Sequence, residues 1–247
     1  MSRYLCDLHV HSCLSPCGDE DMTPGNIVGM ALLNGLQIVA LTDHNSTKNC
    51  PAFFKIAKAH GIIPVAGMEL TTSEDVHAVC LFRDLESAMA FGDYVDEHRF
   101  KIKNEPEIFG RQCIVDEEDE VCGEEEYLLI NASHLSLEDA HREVTARGGV
   151  CYPAHIDRSS SGIISMLGDF PPEPAFTAFE LNDADSLADC LANYPILTEH
   201  GLVHVASSDA HYLTDVSEEG FAIDLEDEPY SSDLVRNHLI DHLLGRG

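Results

Sequence analysis

The most constraining feature of this chain is the way its apolar, strand-like runs end. Nearly every such run stops at a histidine or an acidic residue, and the five clearest junctions close on His11, His44, Glu69, His155 and His211. In a βα barrel the carboxyl ends of the strands share one face, and barrel enzymes keep their chemistry there. Side chains that are far apart in the sequence are therefore expected to converge at one mouth.

Seven apolar runs have the length and composition of β-strands and alternate with helix-like stretches. Several of them are short and continuously apolar, as buried parallel strands are. This alternation predicts an α/β fold. The seven runs are 4–10, 37–41, 62–68, 76–82, 150–154, 176–181 and 202–206.

Helix start signals support the same alternation. Thr23 and Pro24 form a typical start, with Thr as the cap and Pro at the first helical position. Ser136 and Asp139 resemble a capping box, with Asp in place of the usual Glu or Gln. A final helix is predicted over residues 234–244.

The alternation breaks between about residues 97 and 127. Two short pieces, 112–116 and 121–122, predict a hairpin, and eight of the eleven residues in 116–126 are acidic. We interpret this turn as a solvated loop in preference to a metal-binding or docking segment. Residues 1–247 are thus predicted to be a single domain with an acidic hairpin insertion at about 97–127.

The charge balance is strongly acidic, with 14 Lys and Arg against 44 Asp and Glu and a formal net charge of −30. A field of this sign repels polyanions, which predicts that long nucleic acids are not partners. Small anionic substrates remain compatible, because two or three bound divalent cations would return about four to six positive charges locally. The sequence decides neither the cause of the acidity nor the oligomeric state.

The cysteine pattern and the apolar runs predict the cellular setting. The nine cysteines form no CxxC pair, and the first residues reach a polar cluster too early for a secretory signal. No apolar run approaches the roughly 18 to 20 residues that cross a bilayer. A cytoplasmic protein with reduced thiols and no membrane contact is therefore expected.

Strand geometry makes a metal site the preferred interpretation of the polar junctions. Side chains alternate along a strand, so Asp7, His9 and His11 point to one side. A single buried histidine more often satisfies a core hydrogen bond, and His77 taken alone is such a case. Five independent junctions of the same kind instead favour metal binding. The mixture of imidazole and carboxylate suits Zn, Mn or Fe better than Mg or Ca.

As an ordered set, these motifs resemble the PHP (polymerase and histidinol phosphatase) domain family. The set consists of Asp-x-His-x-His at 7–11, Thr-Asp-His at 42–44, Glu69, and Asp-x-His at 209–211. The resemblance covers most of the chain. It implies a distorted seven-stranded, TIM-like (β/α) barrel and a trinuclear metal centre.

The resemblance also implies a role for each matching residue. Asp7 and Asp43 would orient ligand imidazoles. The third metal would need one more ligand from the loop after His11, where many relatives have Asp or His. The implied ligands are His9, His11, Glu69 and Asp209 for a first metal, Glu69, His77 and His155 for a second, and His44, His211 and a loop residue for the third.

Cys17 best matches the loop position, and Asp19 or Glu20 would serve if the loop folds differently. A thiolate there would favour Zn or Fe(II). The sequence therefore decides neither whether two or three metal sites are occupied nor which of Zn, Mn and Fe occupies them.

The implied activity is hydrolysis of a phosphate monoester of a small metabolite or nucleotide by a metal-bound hydroxide. Arg158, close to His155, would approach the substrate phosphate, although pairing with a nearby acid explains it equally well. The alternatives are a nucleotide or oligonucleotide phosphodiesterase, an amidohydrolase, and a catalytically silent metal-binding module. The substrate itself is not readable from the sequence, because fold does not define it.

Overall fold

The computed structural model describes residues 1–226 and 231–246. Within them, strands and helices alternate along the chain. The strands are β1 (Ser2–Val10), β2 (Ile38–Leu41), β3 (Ile63–Thr71), β4 (His77–Phe82), β5 (Cys113–Val115), β6 (Val121–Glu124), β7 (Val150–Pro153), β8 (Ala178–Leu181), β9 (Val203–Ala206) and β10 (Phe221–Leu225). The helices are α1 (Pro24–Leu33), α2 (Cys50–Ala59), α3 (Leu85–His98), α4 (Pro106–Phe109), α5 (Leu137–Ala146), α6 (Ile163–Leu167), α7 (Leu187–Asn193), α8 (Ile196–Glu199) and α9 (Ser232–Leu243).

Side-chain caps begin the helices where the sequence predicts them. The Thr23 hydroxyl accepts a hydrogen bond from the Asn26 N–H at the start of α1. At α5, the side chains of Ser136 and Asp139 each accept a hydrogen bond from the backbone N–H of the other. These bonds satisfy N–H groups that have no partner inside the helix, which accounts for the positions of both starts.

The strands form a curled, half-barrel sheet. Its order is β10-β1-β2-β3-β4-β7, while β8 and β9 pair separately and in parallel. Each of the seven predicted strands is present, but a closed seven-stranded barrel is not confirmed. The main sheet has six strands among the described residues, and one of them, β10, is an antiparallel edge strand that the apolar pattern did not predict.

The pair β8–β9 completes the curl through single contacts at the mouth. The N–H of Ile156, just after β7, donates to the Glu180 carbonyl of β8 at 2.9 Å. On the other side, the His11 N–H donates to the Ala210 carbonyl at 3.0 Å. These two links place the residues that follow β9 beside the ends of β1 and β7.

The prediction of parallel strands is wrong for β4, which runs antiparallel to both β3 and β7. The reason is the connection, because a parallel return needs a crossover of about a dozen residues or more and only residues 72–76 separate the two strands. His77, the first residue of β4, therefore pairs with Thr71 at the end of β3. A strand start thus reaches the same mouth as the strand ends.

The end of the sheet opposite the mouth is closed by α9. Its Leu239 and Leu243 pack with Leu8, Ile38 and other inward-facing strand residues in one buried cluster, and the outer helices cover the other sheet face. Of the helices in the described part of the chain, none is both long and apolar enough to span a membrane.

Candidate metal centre

Glu69, near the end of β3, lies at the centre of the histidine cluster. Its side chain is 1% exposed. One carboxylate oxygen, Oε1, lies 2.8 Å from His77 Nδ1 and 3.0 Å from His155 Nε2. The other, Oε2, lies 3.0 Å from His44 Nδ1. One carboxylate therefore contacts imidazoles that come from three different parts of the sheet.

Four donor atoms at the floor of the mouth have the spacing of a metal coordination shell. His9 Nε2 and His11 Nε2 are 3.1 Å apart, and each lies 3.2–3.4 Å from Glu69 Oε2 and 3.0–3.3 Å from Asp209 Oδ1. Ligand atoms about 2.1 Å from a tetrahedral ion are separated by about 3.4 Å. The donor set therefore fits a divalent cation.

Unsatisfied polar atoms at the same place support this fit. Among the described residues, His44 Nδ1, Glu69 Oε2 and His155 Nδ1 are buried and make no hydrogen bond of regular geometry, although the first two lie 3.0 Å apart. A buried polar atom without a partner costs about 1–3 kcal/mol. A cation in contact with such atoms would remove that cost.

The structure brings together most of the ligands predicted from the sequence. In each of three groups, the candidate ligand atoms lie within 4.8 Å of one another. The tandem histidine strand, the Thr-Asp-His motif, Glu69 and the Asp-x-His motif all contribute. The groups are His9, His11, Glu69 and Asp209; His44, Glu69 and His77; and His11, His44 and His211.

The loop ligand is the part that the structure does not bring in. Cys17 is exposed, and among the residues that the structure describes neither it nor Asp19 or Glu20 belongs to one of these groups. Partial desolvation and the nearby Glu69 carboxylate raise the pKa of the Cys17 thiol to about 12. The structure thus leaves Cys17 outside the three candidate ligand groups, and its role as a ligand stays a prediction.

The pKa values show how the site is charged. Burial opposes a charge on Glu69, but the surrounding imidazoles, led by His77, outweigh it and hold the pKa of this carboxyl well below its usual range. Burial also opposes protonation of His11, yet hydrogen bonds to carboxylates raise its pKa to about 9. Burial lowers the pKa of His44 to about 3 and that of His211 to about 4. The last two imidazoles are therefore neutral and have a free lone pair.

Glu180 is a site residue that sequence reasoning missed. Its carboxylate is 1% exposed, and Oε1 lies 2.9 Å from His9 Nδ1 and accepts the backbone N–H of His155 at 3.2 Å. A carboxylate in this position fixes the imidazole tautomer, so that Nε2 is free to bind metal. The only signal in the sequence was that Glu180 is the one acidic residue inside the apolar run 176–181. It was overlooked because the metal ligands were sought at strand ends, and Glu180 lies inside the run.

Asp43 reaches an imidazole through a serine, whereas the hydrogen bonds of Asp7 hold the backbone of Ser208 and Ser217. Asp7 accepts the backbone N–H of Ser208, immediately before Asp209. Asp43 accepts the Ser15 hydroxyl, and the Ser15 oxygen lies 3.0 Å from His11 Nδ1. Burial raises the pKa of both aspartates, although hydrogen bonds partly offset it.

Arg158 lies beside the ligands, on the solvent side. Its Nη1 is 2.6 Å from Asp209 Oδ2, and its Nη2 donates to the Asn182 side chain at 2.9 Å. The Arg158 side chain is 40% exposed. A planar cation is thus held within reach of an anion that enters the mouth.

The curled sheet carries a histidine–carboxylate floor whose donor atoms have the arrangement of a divalent-metal site. Residues 7–168 match the family model of the PHP domain, and this match covers more than half of the chain. The chain therefore belongs to the PHP domain family. Family membership supports the prediction of a metal-dependent hydrolase that acts on phosphate esters.

Known proteins of similar sequence and structure agree with this placement. An uncharacterized protein of Methanocaldococcus jannaschii is 34% identical over 76 residues, which are 28% of this chain and 44% of that protein. A structure of a metal-dependent phosphoesterase from Bifidobacterium adolescentis, so described provisionally, superposes with a TM-score of 0.58 at 18% identity and covers 98% of this chain and 96% of its own. At that identity the likeness shows the fold alone.

A third similar protein contradicts the predicted partners. The lesion-specific endonuclease PfuEndoQ from Pyrococcus furiosus superposes on all of this chain with a TM-score of 0.63 at 17% identity, and the match spans 57% of the endonuclease. Its structure is also known in complex with a 27-mer duplex substrate that has an abasic lesion at the active site. The prediction of a small substrate and no long nucleic acid is therefore corrected. Net charge sums the whole surface, whereas binding depends on the charge at the mouth.

Proposed function

We propose that this protein hydrolyses phosphodiester bonds of nucleic acid with the help of divalent metal ions. The observation that carries the metal dependence is the set of four donor atoms, 3.0–3.4 Å apart, around the Glu69 carboxylate. The nucleic-acid substrate is supported by the endonuclease whose fold spans this entire chain. The phosphate monoester inferred from the sequence has no comparable support.

The proposed metal ligands follow the three donor groups. The four floor atoms of His9, His11, Glu69 and Asp209 would hold one ion. Glu69 Oε1, with the rings of two histidines within 3.0 Å of it, would hold a second. The group formed by His11, His44 and His211 is a third position, and the number of ions and the identity of the metal are to be measured.

Bound divalent ions would polarise the phosphoryl oxygens and lower the pKa of water from 15.7 to about 7. The residues of this chain do the rest. Glu180 holds the His9 ring with Nε2 directed to the floor. Arg158 presents a planar donor pair from the edge of the mouth, and we propose that it exchanges its contact with Asp209 for a substrate phosphate oxygen.

The test compares four substrates under Mn²⁺ and Zn²⁺. They are a single-stranded oligonucleotide, its duplex, bis(p-nitrophenyl) phosphate and p-nitrophenyl phosphate. We expect metal-dependent cleavage of the oligonucleotide and of the chromogenic diester, and loss of both in His9→Ala. His60→Ala is the matched control, because His60 is exposed at the end of α2 and belongs to none of the candidate ligand groups. Turnover of the monoester alone, with both diesters intact, would refute the proposal.

A further inference from the structure

Basic residues are distributed unevenly in this acidic protein. Residues 99–111, here called the basic ridge, contain four of the fourteen Lys and Arg residues and only two acidic ones. At the start of the ridge, basic and apolar residues alternate in the order Arg99-Phe100-Lys101-Ile102-Lys103. Although the formal net charge of the chain is −30, a stretch with this composition can attract a polyanion locally.

The backbone at the start of the ridge is held at two points. Isolated antiparallel bridges join Arg99 to Ser133 and Lys103 to Tyr127. Between them the Ile102 N–H donates to the Phe100 carbonyl at 3.1 Å, which makes a tight turn at Lys101.

Four large apolar side chains of the ridge remain in contact with solvent. Phe100 is 44% exposed and Ile102 is 54% exposed. In the short helix α4, Ile108 is 68% exposed and Phe109 is 39% exposed. Large exposed apolar patches with a polar rim mark interaction sites.

The lysines of the ridge are free to exchange their partners. Lys101 Nζ lies 2.7 Å from Asp96, with the two side chains 40% and 42% exposed. Lys103 Nζ lies 3.0 Å from Glu126, with 76% and 59% exposed. Exposed pairs contribute little to stability, so phosphate oxygens can compete for both ammonium groups.

Packing contacts place the ridge and the segment after it at the mouth of the metal centre. The backbone of Gly110 lies so close to the loop after β1 that a Cβ there would be 2.6 Å from the Pro16 carbonyl oxygen. The Asn45 side chain, which follows β2, donates to the Asn131 carbonyl at 2.9 Å. The Ser133 N–H donates to the Thr71 carbonyl at the end of β3, at 2.8 Å. The segment therefore lies against the loops that follow three ligand-bearing strands.

We infer that the basic ridge binds a single-stranded segment of the nucleic-acid substrate and leads it to the metal centre. Lys101 and Lys103 contact backbone phosphates, and unpaired bases stack on Phe100 and Phe109. Aromatic side chains stack bases of any sequence when these are unpaired, which selects single strands over duplex. This inference rests on the proposed function, and it names the surface that overcomes the repulsion by the rest of the molecule.

The test uses two double variants of the full chain, Lys101→Gln/Lys103→Gln and Phe100→Ser/Phe109→Ser. Binding of a fluorescent single-stranded oligonucleotide is measured by anisotropy, and cleavage by gel. We expect at least a tenfold weaker Kd in each. In the lysine variant, the slope of log K against log salt should decrease by about 1.4, the value for two lost phosphate contacts on a single strand. Turnover of bis(p-nitrophenyl) phosphate and metal content should stay at the wild-type level.

The matched control is Lys58→Gln/Arg142→Gln, which removes two exposed cations from helices α2 and α5. If the ridge variants bind and cleave like this control while the wild type cleaves oligonucleotides, the ridge inference is wrong and the proposed function stands. A wild type that turns over the chromogenic diester but neither binds nor cleaves any oligonucleotide overturns both. An equal loss of affinity for duplex would overturn the preference for single strands.

Discussion

The floor of the metal centre and the basic ridge differ in how far their residues are fixed by the fold. At the floor, Glu69 and Glu180 are each 1% exposed and lie within hydrogen-bond distance of candidate ligand histidines. On the ridge, the two lysine side chains contact solvent and pair with surface acids. Metal chemistry restricts the floor to a few residue types at fixed positions, whereas a binding surface needs only charge and apolar area. Four substitutions sharpen this contrast, beginning with the largest expected effect.

Glu69→Gln should abolish the centre. The substitution keeps the shape but removes the charge that faces at least three imidazoles, so metal content should fall and activity should drop by about 10³-fold or more. Metal analysis of purified protein and turnover of bis(p-nitrophenyl) phosphate measure the two effects. Glu117→Gln, on the exposed acidic turn, is the control. Full metal content in Glu69→Gln would show that the floor is not built around this carboxylate.

Glu180→Gln should weaken the centre without removing it. His9 would lose the carboxylate that fixes its tautomer, and such partners are worth about 10–100-fold in metal affinity or activity. Titration of the metal-free protein with Zn²⁺ gives the affinity, and Glu199→Gln, exposed on α8, is the comparison. An affinity equal to that of the comparison would reduce Glu180 to a packing role.

Cys17→Ser tests whether the loop after β1 supplies a metal ligand. If the thiol is a ligand, elemental analysis should find about one metal ion fewer per chain and a smaller share of thiophilic metal. Cys122→Ser, also at an exposed cysteine, should change nothing. Identical metal content in the two variants would show that Cys17 is not a metal ligand.

Glu125→Gln should loosen the segment that holds the ridge in place. Glu125 is 7% exposed, and its Oε1 lies 2.7 Å from Nη2 of the buried Arg99. Burial opposes ionisation, but bonds to Lys48 and Arg99 lower the pKa of Glu125. A lowered pKa stabilises the fold above the unfolded value of about 4.3 and loses this effect as pH falls through the folded value.

Hydrogen exchange of residues 97–131 is the measurement for this variant. At pH 7 we expect local opening to be easier by about 1–3 kcal/mol, with a change of activity on the chromogenic diester of no more than a few-fold. The difference from wild type should shrink below about pH 4. A difference that persists unchanged in acid would exclude the carboxylate charge as its cause, and Glu118→Gln, at an exposed residue of the same acidic stretch, serves as the control.

The strands and helix starts were readable from the sequence because local chemistry determines them. Apolar runs located seven strands, and the Thr23 and Ser136 caps located two helix starts. Strand direction is different, since side-chain alternation looks the same in parallel and antiparallel strands. The direction of β4 was nevertheless encoded in the length of the 72–76 turn. The edge strand β10 was missed because it is short and half exposed, and the assignment of 97–127 as an insertion stays a prediction.

Within the site, residues were predictable where a motif repeated a requirement of metal binding. His9, His11 and Glu69 stand at strand ends, and their convergence follows from the barrel rule. Glu180 acts through one imidazole and has no motif of its own. The basic ridge was overlooked for another reason. The net charge is a sum over the whole chain, and it does not show that residues 99–111 contain more basic than acidic residues.

The separate pairing of β8 and β9 gives the ions a mechanical role. His9, His11 and Glu69 belong to the six-stranded sheet, whereas Asp209 follows β9, across a seam that few backbone bonds cross. A cation held by all four would act as a clasp between the two halves of the molecule. Loss of metal would then weaken the contact between the β8–β9 pair and the six-stranded sheet as well as remove the activity. Metal supply would therefore set the stability of the folded protein together with its rate of turnover.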